Sequence, residues 1–297
     1  MKKLLILLLC ILLAGCAAAP DAGEGTFTDD LGRSVTVENP QRVACLTASF
    51  ADIWCAAGGA DTLVATTNAT WTYFDLPIGD DVVNLGGSKA LDLEGLTACA
   101  PDLVLASAGT DRNVELEDTL ELLGLNTAYF SVNSFEDYLR MLKICTDLTG
   151  RADLYEQNGT AVAEQVEAAK NRVDDSAPSV LFIRATGSGC KVKNSEDSVL
   201  GEMLAELGCR NIADGGALES LSMEAILAEE PEHIFVVMQT ADAQPILEDT
   251  LLNDPAWQSL TAVQKGRYHV MDPALFNLKP NARWGEAYEI LADILYP

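Results

Sequence analysis

Two glutamates occupy the same place in two copies of one short phrase. "LEGLTACAPDLVL" runs from residue 93 to 105 and "MEAILAEEPEHIF" from 223 to 235, at a constant offset of 130. Glu94 matches Glu224, Leu96 matches Ile226, Pro101 matches Pro231 and Val104 matches Ile234. Each glutamate stands two places after a helix-capping residue, Asp92 or Ser222. A carboxylate there suits the helix dipole, typically by about 0.3–1 kcal/mol. An aspartate or a neighbouring position would suit the dipole as well. A repeated, solvated glutamate is therefore also a candidate recognition peg, one on each half of the chain.

The other candidate residues lie in loops that follow predicted strands, because ligands of parallel sheets gather at the carboxyl ends of strands. After Thr66 come Asn68, Trp71, Tyr73 and Phe74, which offer flat apolar faces with polar tips. "GGSKA" brings Ser88 and Lys89 to the same rim, and Ser107 opens a short polar loop after Ala106. A fourteen-residue loop expected at 184–197 carries Arg184, Lys191 and Lys193; "FNLKPNARW" adds Phe276, Lys279 and Arg283. Basic groups gathered at one cleft of an acidic chain favour an anionic ligand. Catalysis is not indicated. There is no G-x-S-x-G elbow, no P-loop and no G-x-G-x-x-G after a strand. The two histidines, His233 beside Pro231 and His269 in "RYHVM", are expected to have no second ligand nearby, so no protein metal site is expected.

The elements that position these groups alternate. Short apolar runs at 42–46, 63–66, 103–106 and 127–130 read as strands. Helices lie between them: one capped by Ser49 and stopped at Gly58-Gly59, the first copy of the phrase, and one at 115–123 stopped by Gly124. The rhythm returns with strands at 180–183 and 234–237, a helix at 198–207 and the second copy of the phrase. Strands alternating with helices argue for parallel sheets covered on both faces. Between the halves, Ser134 caps a helix that ends at Gly150, and 152–173 keeps one apolar stripe. Twenty-two helical residues span roughly 33 Å, a strut rather than a loose hinge. The expected layout is an N-terminal lobe at 27–133, a helical connector at 134–173 and a C-terminal lobe at 174–297. A hairpin turning at Asp30-Leu31-Gly32 precedes the first strand.

The first residues belong to targeting, not fold. Met1-Lys2-Lys3, an apolar run and Leu13-Ala14-Gly15-Cys16 form a signal peptide at 1–15 with the lipobox pattern of bacterial lipoproteins. Cys16 is then the lipidated first mature residue, followed by a small, polar tether at 16–26. The chain has 19 basic and 45 acidic residues, a net charge of −26 that falls to near −28 without Lys2 and Lys3. Such a field excludes nucleic-acid binding and leaves membrane attachment to lipid. Cys45, Cys55, Cys99 and Cys145 read as buried thiols; Cys190 and Cys209 are either free or paired.

In order and spacing, several segments resemble one family. They are "ASFADIWCAAGGADTLVATT", "LDLEGLTACAPDLVLAS", "LTGRADLYEQ", "SVLGEMLAELGCRNIAD", "SMEAILAEEPEHIFVV", "DPAWQSLTAVQKGRYHVM" and "PNARWGEAYEILADILYP". The chain is similar to the solute-binding proteins of ABC importers for iron–siderophores, haem and vitamin B12. The resemblance implies an α/β fold of two Rossmann-like lobes joined by one long interlobe helix, with ligand in the cleft and no permanent cofactor. It implies a monomer that serves a permease dimer with its ATPase. A ferric siderophore is the expected ligand, with haem or cobalamin as alternatives; for haem, Tyr73 is the best-placed axial ligand. The resemblance also implies that Glu94 and Glu224 pair with arginines on the permease.

Overall fold

The computed structural model describes residues 25–87, 90–196, 198–215, 222–239 and 242–297. Cys16 with its leader, and Ser88 and Lys89, lie outside the described residues.

Polar–apolar alternation about a Gly32 at φ +79° makes an antiparallel hairpin, β1 (Thr26–Thr28) and β2 (Ser34–Thr36). The buried Asp29 carboxylate fastens it. It accepts from the backbone N–H of Leu31, Arg33 and Tyr129 and from the Arg33 guanidinium.

The first lobe then alternates: β3 (Val43–Cys45), α1 (Ala48–Ala56), β4 (Leu63–Thr66), α2 (Ala69–Tyr73), β5 (Val83–Asn84), α3 (Leu93–Ala98), β6 (Leu103–Ser107), α4 (Asp111–Glu115), α5 (Glu117–Leu122) and β7 (Thr127–Phe130). Its strands pair in parallel in the order β5-β4-β3-β6-β7. The central strands are apolar along their whole length because helices cover both faces. Two local readings are corrected. Ser49 lies inside α1, whose cap is Thr47; Ser49 is instead buried and turned toward the second lobe. The helix expected at 115–123 is broken at Leu116 into α4 and α5, as Asn113 turns its side-chain oxygen to the Ser107 N–H.

The connector begins with α6 (Phe135–Thr149). Ser134 and Asp137 close a capping box at its start, and Gly150 at φ +70° ends it. The strut follows as α7 (Ala152–Tyr155), one π turn (Glu156–Thr160) and α8 (Ala161–Lys170). The π turn was not expected, and two bonds explain it. The Asn158 carbonyl accepts from the Tyr138 hydroxyl at 2.8 Å, and the Asn158 amide donates to the Ala56 carbonyl at 2.8 Å. Both pull the turn toward α1 and α6, and at Gly159 an added Cβ would meet Tyr155, Leu139 and Leu142 at 3.2–3.3 Å, a tight fit that glycine avoids.

The second lobe contains β8 (Ser179–Thr186), β9 (Gly189–Lys193), α9 (Val199–Glu206), β10 (Arg210–Asn211), α10 (Met223–Glu229), β11 (His233–Met238), α11 (Ala243–Leu247), α12 (Pro255–Ser259), α13 (Thr261–Gln264), β12 (Tyr268–Met271), α14 (Pro273–Phe276) and α15 (Trp284–Leu295). The parallel order is β10-β8-β11-β12, with β9 antiparallel on β8. One apolar core runs without a break from Val43, Trp54 and Phe130, through Val162 and Val166 of the strut, to Phe182, Leu200 and Tyr288. Phe135 of α6 meets Trp284 of α15 edge-on at 5.9 Å, and α15 also packs along α8 of the strut. Among the described residues, no helix is long and apolar enough to cross a membrane.

Candidate functional site

The carboxyl ends of both sheets face one another across a seam. On its floor, α1 meets the segment that joins α14 to α15. Ser49 Oγ accepts from the Lys279 N–H at 3.4 Å. The Asn281 side-chain amide donates to the Ser49 carbonyl at 2.9 Å and to Asp52 Oδ2 at 2.6 Å. Asn281 is fully buried and left-handed, at φ +55°. Burial pushes the Asp52 carboxyl up to about 6, although the Asn281 bond and the Arg283 charge pull the other way. Lys279 reaches Asn133 Oδ1 at 3.3 Å; burial lowers its ammonium to about 8 against the pull of Asp137 and Glu202.

Above this floor, the Tyr73 hydroxyl donates to the Gln239 carbonyl at 3.1 Å, a direct bridge between lobes. Beneath it lies a cavity of about 220 Å³, walled by Asp52, Tyr73 and Asp75 from one lobe and Pro280 and Arg283 from the other. Arg283 is half-exposed and held by Glu286 at 2.6 Å. Asn68 is exposed at the start of α2, and Ser107 closes β6.

Three expectations change with the geometry. The loop expected at 184–197 is a hairpin for most of its length. Cys190 and Val192 alternate inward against Lys191 and Lys193, which extends β8 and builds β9 around Gly187-Ser188. Arg184 and Lys191 are thereby cross-strand partners on one face, two residues below the tip, with Lys193 further down opposite Phe182. Phe276 leaves the cleft altogether. It is 1% exposed and packs in the core, because Asp272 and Pro273 start α14 and turn the ring inward. The histidines are not isolated. The neighbouring strands β11 and β12 bring His233 Nδ1 within 3.2 Å of His269 Nε2, with the rings stacked at 5.4 Å. Burial lowers His233 to about 4, helped by His269 and Arg267. The pair lies at the amino end of β11, away from the cleft, and no group of three ligands forms among the described residues.

Asn281 and Asp52 were missed by sequence reasoning. Asn-Ala-Arg after a proline signals a turn, but nothing in the sequence says which helix the turn meets. Trp71 and Tyr73 separate. Tyr73 enters the seam, while Trp71, 200° away around a helix, lines a cavity of about 440 Å³ made wholly of first-lobe residues.

Glu94 and Glu224 are both exposed in the first turn of α3 and α10. Asp92 Oδ1 accepts from the Gly95 N–H at 2.9 Å and Ser222 Oγ from the Ala225 N–H at 3.4 Å, so both predicted caps form. Each helix returns along a parallel sheet, which puts both glutamates at the carboxyl-end rim. The six cysteines among the described residues are free thiols.

Known proteins are similar to this chain in sequence or in fold. YhfQ of Bacillus subtilis strain 168, provisionally named an ABC transporter substrate-binding lipoprotein, is 24% identical over 94% of this chain and 93% of its own. The Fe(3+)-citrate-binding protein YfmC of the same organism is 24% identical over 90% of this chain and 87% of its own. The solved petrobactin-binding protein YclQ of B. subtilis superposes with a TM-score of 0.72 at 17% identity, over 91% of this chain and 96% of that one. The two relatives are, by name, binding proteins and not enzymes. With the periplasmic binding protein profile matching residues 43–275, the chain belongs to that family of ABC-importer substrate-binding proteins.

Proposed function

We propose that this protein is a lipid-anchored receptor, attached through Cys16, that captures an anionic ferric chelate between its lobes and hands it to an ABC permease dimer. The family works with a permease and its ATPase. The observation that carries the ligand class is the Arg184–Lys191 pair. Two cations stand side by side on a hairpin at the carboxyl end of β8, in a protein of net charge −26. Cations so placed in an acidic chain draw a multiply charged anion to that spot. Arg283 lies across the seam, and Asn68, Tyr73 and Ser107 supply neutral hydrogen bonds at the rim. Ferric citrate, which YfmC's name gives as its ligand, belongs to this chemical class. Glu94 and Glu224 are the docking pegs, one per lobe, for a twofold partner.

Titration by intrinsic fluorescence with ferric citrate, a ferric catecholate, haemin and cyanocobalamin tests this reading. An anionic ferric chelate is expected to bind, and to weaken at least tenfold in Arg184→Ala plus Lys191→Ala. Cyanocobalamin binding with no ferric chelate bound would reject it. Glu94→Lys with Glu224→Lys should leave that affinity unchanged and abolish uptake; normal uptake would reduce both glutamates to helix-start residues.

A further inference from the structure

Trp71 is a large aromatic side chain that does not line the cavity between the lobes. It is 46% exposed, while the other described tryptophans, Trp54, Trp257 and Trp284, are buried. It sits on the outer side of α2, above the first-lobe cavity lined also by Phe74, Ile78 and Val82. The half-exposed Val83 of the edge strand β5 follows directly. At this apolar spot Asp75 and Asp80 line the cavity, and Asp75, Asp80 and the adjoining Asp81 are exposed. None of the described residues that line this cavity is basic.

The backbone joins this spot to the rim that carries Glu94. The Asn68 N–H, at the start of α2, donates to the Gly86 carbonyl at 2.9 Å. The Leu85 N–H donates to the Thr66 carbonyl at 2.8 Å, and the Asp92 N–H donates to the Leu85 carbonyl at 2.9 Å. The starts of α2 and α3 are thus knit into one ledge, with Trp71 at one end and Glu94 at the other.

An exposed tryptophan beside exposed carboxylates fits a partner surface that is apolar at its centre and basic at its edge. We propose that Trp71 is a docking anchor for the permease, seated in an apolar, arginine- or lysine-rimmed depression on its outer face, and is not a ligand contact. This rests on the reading that the Glu94–Glu224 rim faces the permease. Area and charge divide the work: the glutamate and aspartates steer and orient, and the indole supplies the desolvated contact that slows dissociation.

The test uses the full lipoprotein in membranes of its own cells. A photo-activatable benzoylphenylalanine is placed at position 71, at position 94, or at the exposed Leu122 of α5. Crosslinks from 71 and 94, but not 122, to a polypeptide identified by mass spectrometry as an ABC permease subunit are expected. Trp71→Ala should cut uptake about tenfold or more, as loss of an interface anchor does. Trp71→Phe, which keeps a ring over Phe74, should recover much of it. Both variants should bind the ferric chelate within about twofold of the parent. A permease crosslink from 94 without one from 71 overturns the inference and leaves the docking rim standing. A tenfold loss of chelate affinity in Trp71→Ala overturns it by returning Trp71 to the ligand site. No permease crosslink from either position removes the docking reading itself, and the inference with it.

Discussion

Replacing Asn281 with alanine should loosen the seam between the lobes, by an amount that depends on pH. At pH 7.5 the Asp52 carboxyl, which titrates at about 6, is mostly ionised. The variant then loses a charge-assisted bond of 2.6 Å, worth about 1.5–3 kcal/mol, and a neutral bond to the Ser49 carbonyl, worth about 0.5–1.5 kcal/mol. Alanine at φ +55° adds about 1–2 kcal/mol of backbone strain that asparagine largely avoids. One term works the other way. The Asn281 Oδ1 atom is buried without a partner, and deleting it returns about 1–3 kcal/mol. Taken at their midpoints, these terms leave a loss of about 3 kcal/mol at pH 7.5. Without its donor, Asp52 should also titrate above 6. At pH 5 the carboxyl is already neutral in the parent, so the loss should shrink.

Equilibrium urea unfolding at both pH values measures the first effect, and carbon-13 NMR of labelled aspartate carboxyls measures the second. Asn281→Gly separates the parts, because glycine accepts the left-handed conformation and lacks only the bonds. It should recover about 1 kcal/mol relative to alanine. An Asn281→Ala protein within 0.5 kcal/mol of the parent at pH 7.5, with Asp52 unmoved, would show that the wedge carries no load.

Other expectations follow from the same geometry. Asp52 is a weaker acid when folded, so on acidification the folded state takes up a proton first. Its ionised form penalises folding above pH 6, and that penalty fades as pH falls through 6 toward 3.8. Asp52→Asn should therefore stabilise the protein at pH 8 by about 1–2 kcal/mol, the full shift being discounted for partial exposure, and a stability-versus-pH series reads it. His233 has the opposite sign. The unfolded imidazole protonates near 6.5 and the buried one only near 4, so stability is lost as pH falls from about 6.5 to 4. That loss is of the order of 3 kcal/mol and should vanish from the pH series of His233→Gln; an unchanged acid slope would dismiss it. Ligand binding should change the radius of gyration by less than about 1 Å in solution scattering, because strut and seam both hold the lobes; a larger drop would mean that the seam opens freely.

Much of this fold could be read from local signals. The caps Asp92, Ser134 and Ser222, and the glycine stops at 58, 124, 150 and 208, depend on one or two turns of chain, and each forms where its residue type demands. Parallel, two-faced burial made the strands continuous apolar runs, so 63–66 and 127–130 come out residue for residue. The failures are of another kind. The β8–β9 hairpin was read as a loop because Gly-Ser-Gly hid the alternation of Cys190, Lys191, Val192 and Lys193 beyond it. Phe276 was placed by its proximity to Lys279 in sequence, while Asp272 and Pro273 started a helix that turned it inward.

The seam shows why the site was harder to read than the fold. Its contacts join residues about 230 positions apart, and no local pattern encodes them. Asn281 could be recognised as a turn residue, and Asp52 as a polar break on an otherwise apolar helix. Only the returning C-terminal segment brings the two into contact. The same holds for His233 and His269, which a strand order makes neighbours. Such pairings have a mechanical consequence here. A helix alone joins two lobes at one line and leaves them free to twist about it. A second attachment away from that line removes the twist. In this protein the strut is the first attachment, and the Ser49–Asp52–Asn281 contact and the Tyr73–Gln239 bond are further ones, so the return of the chain adds to what the helix provides.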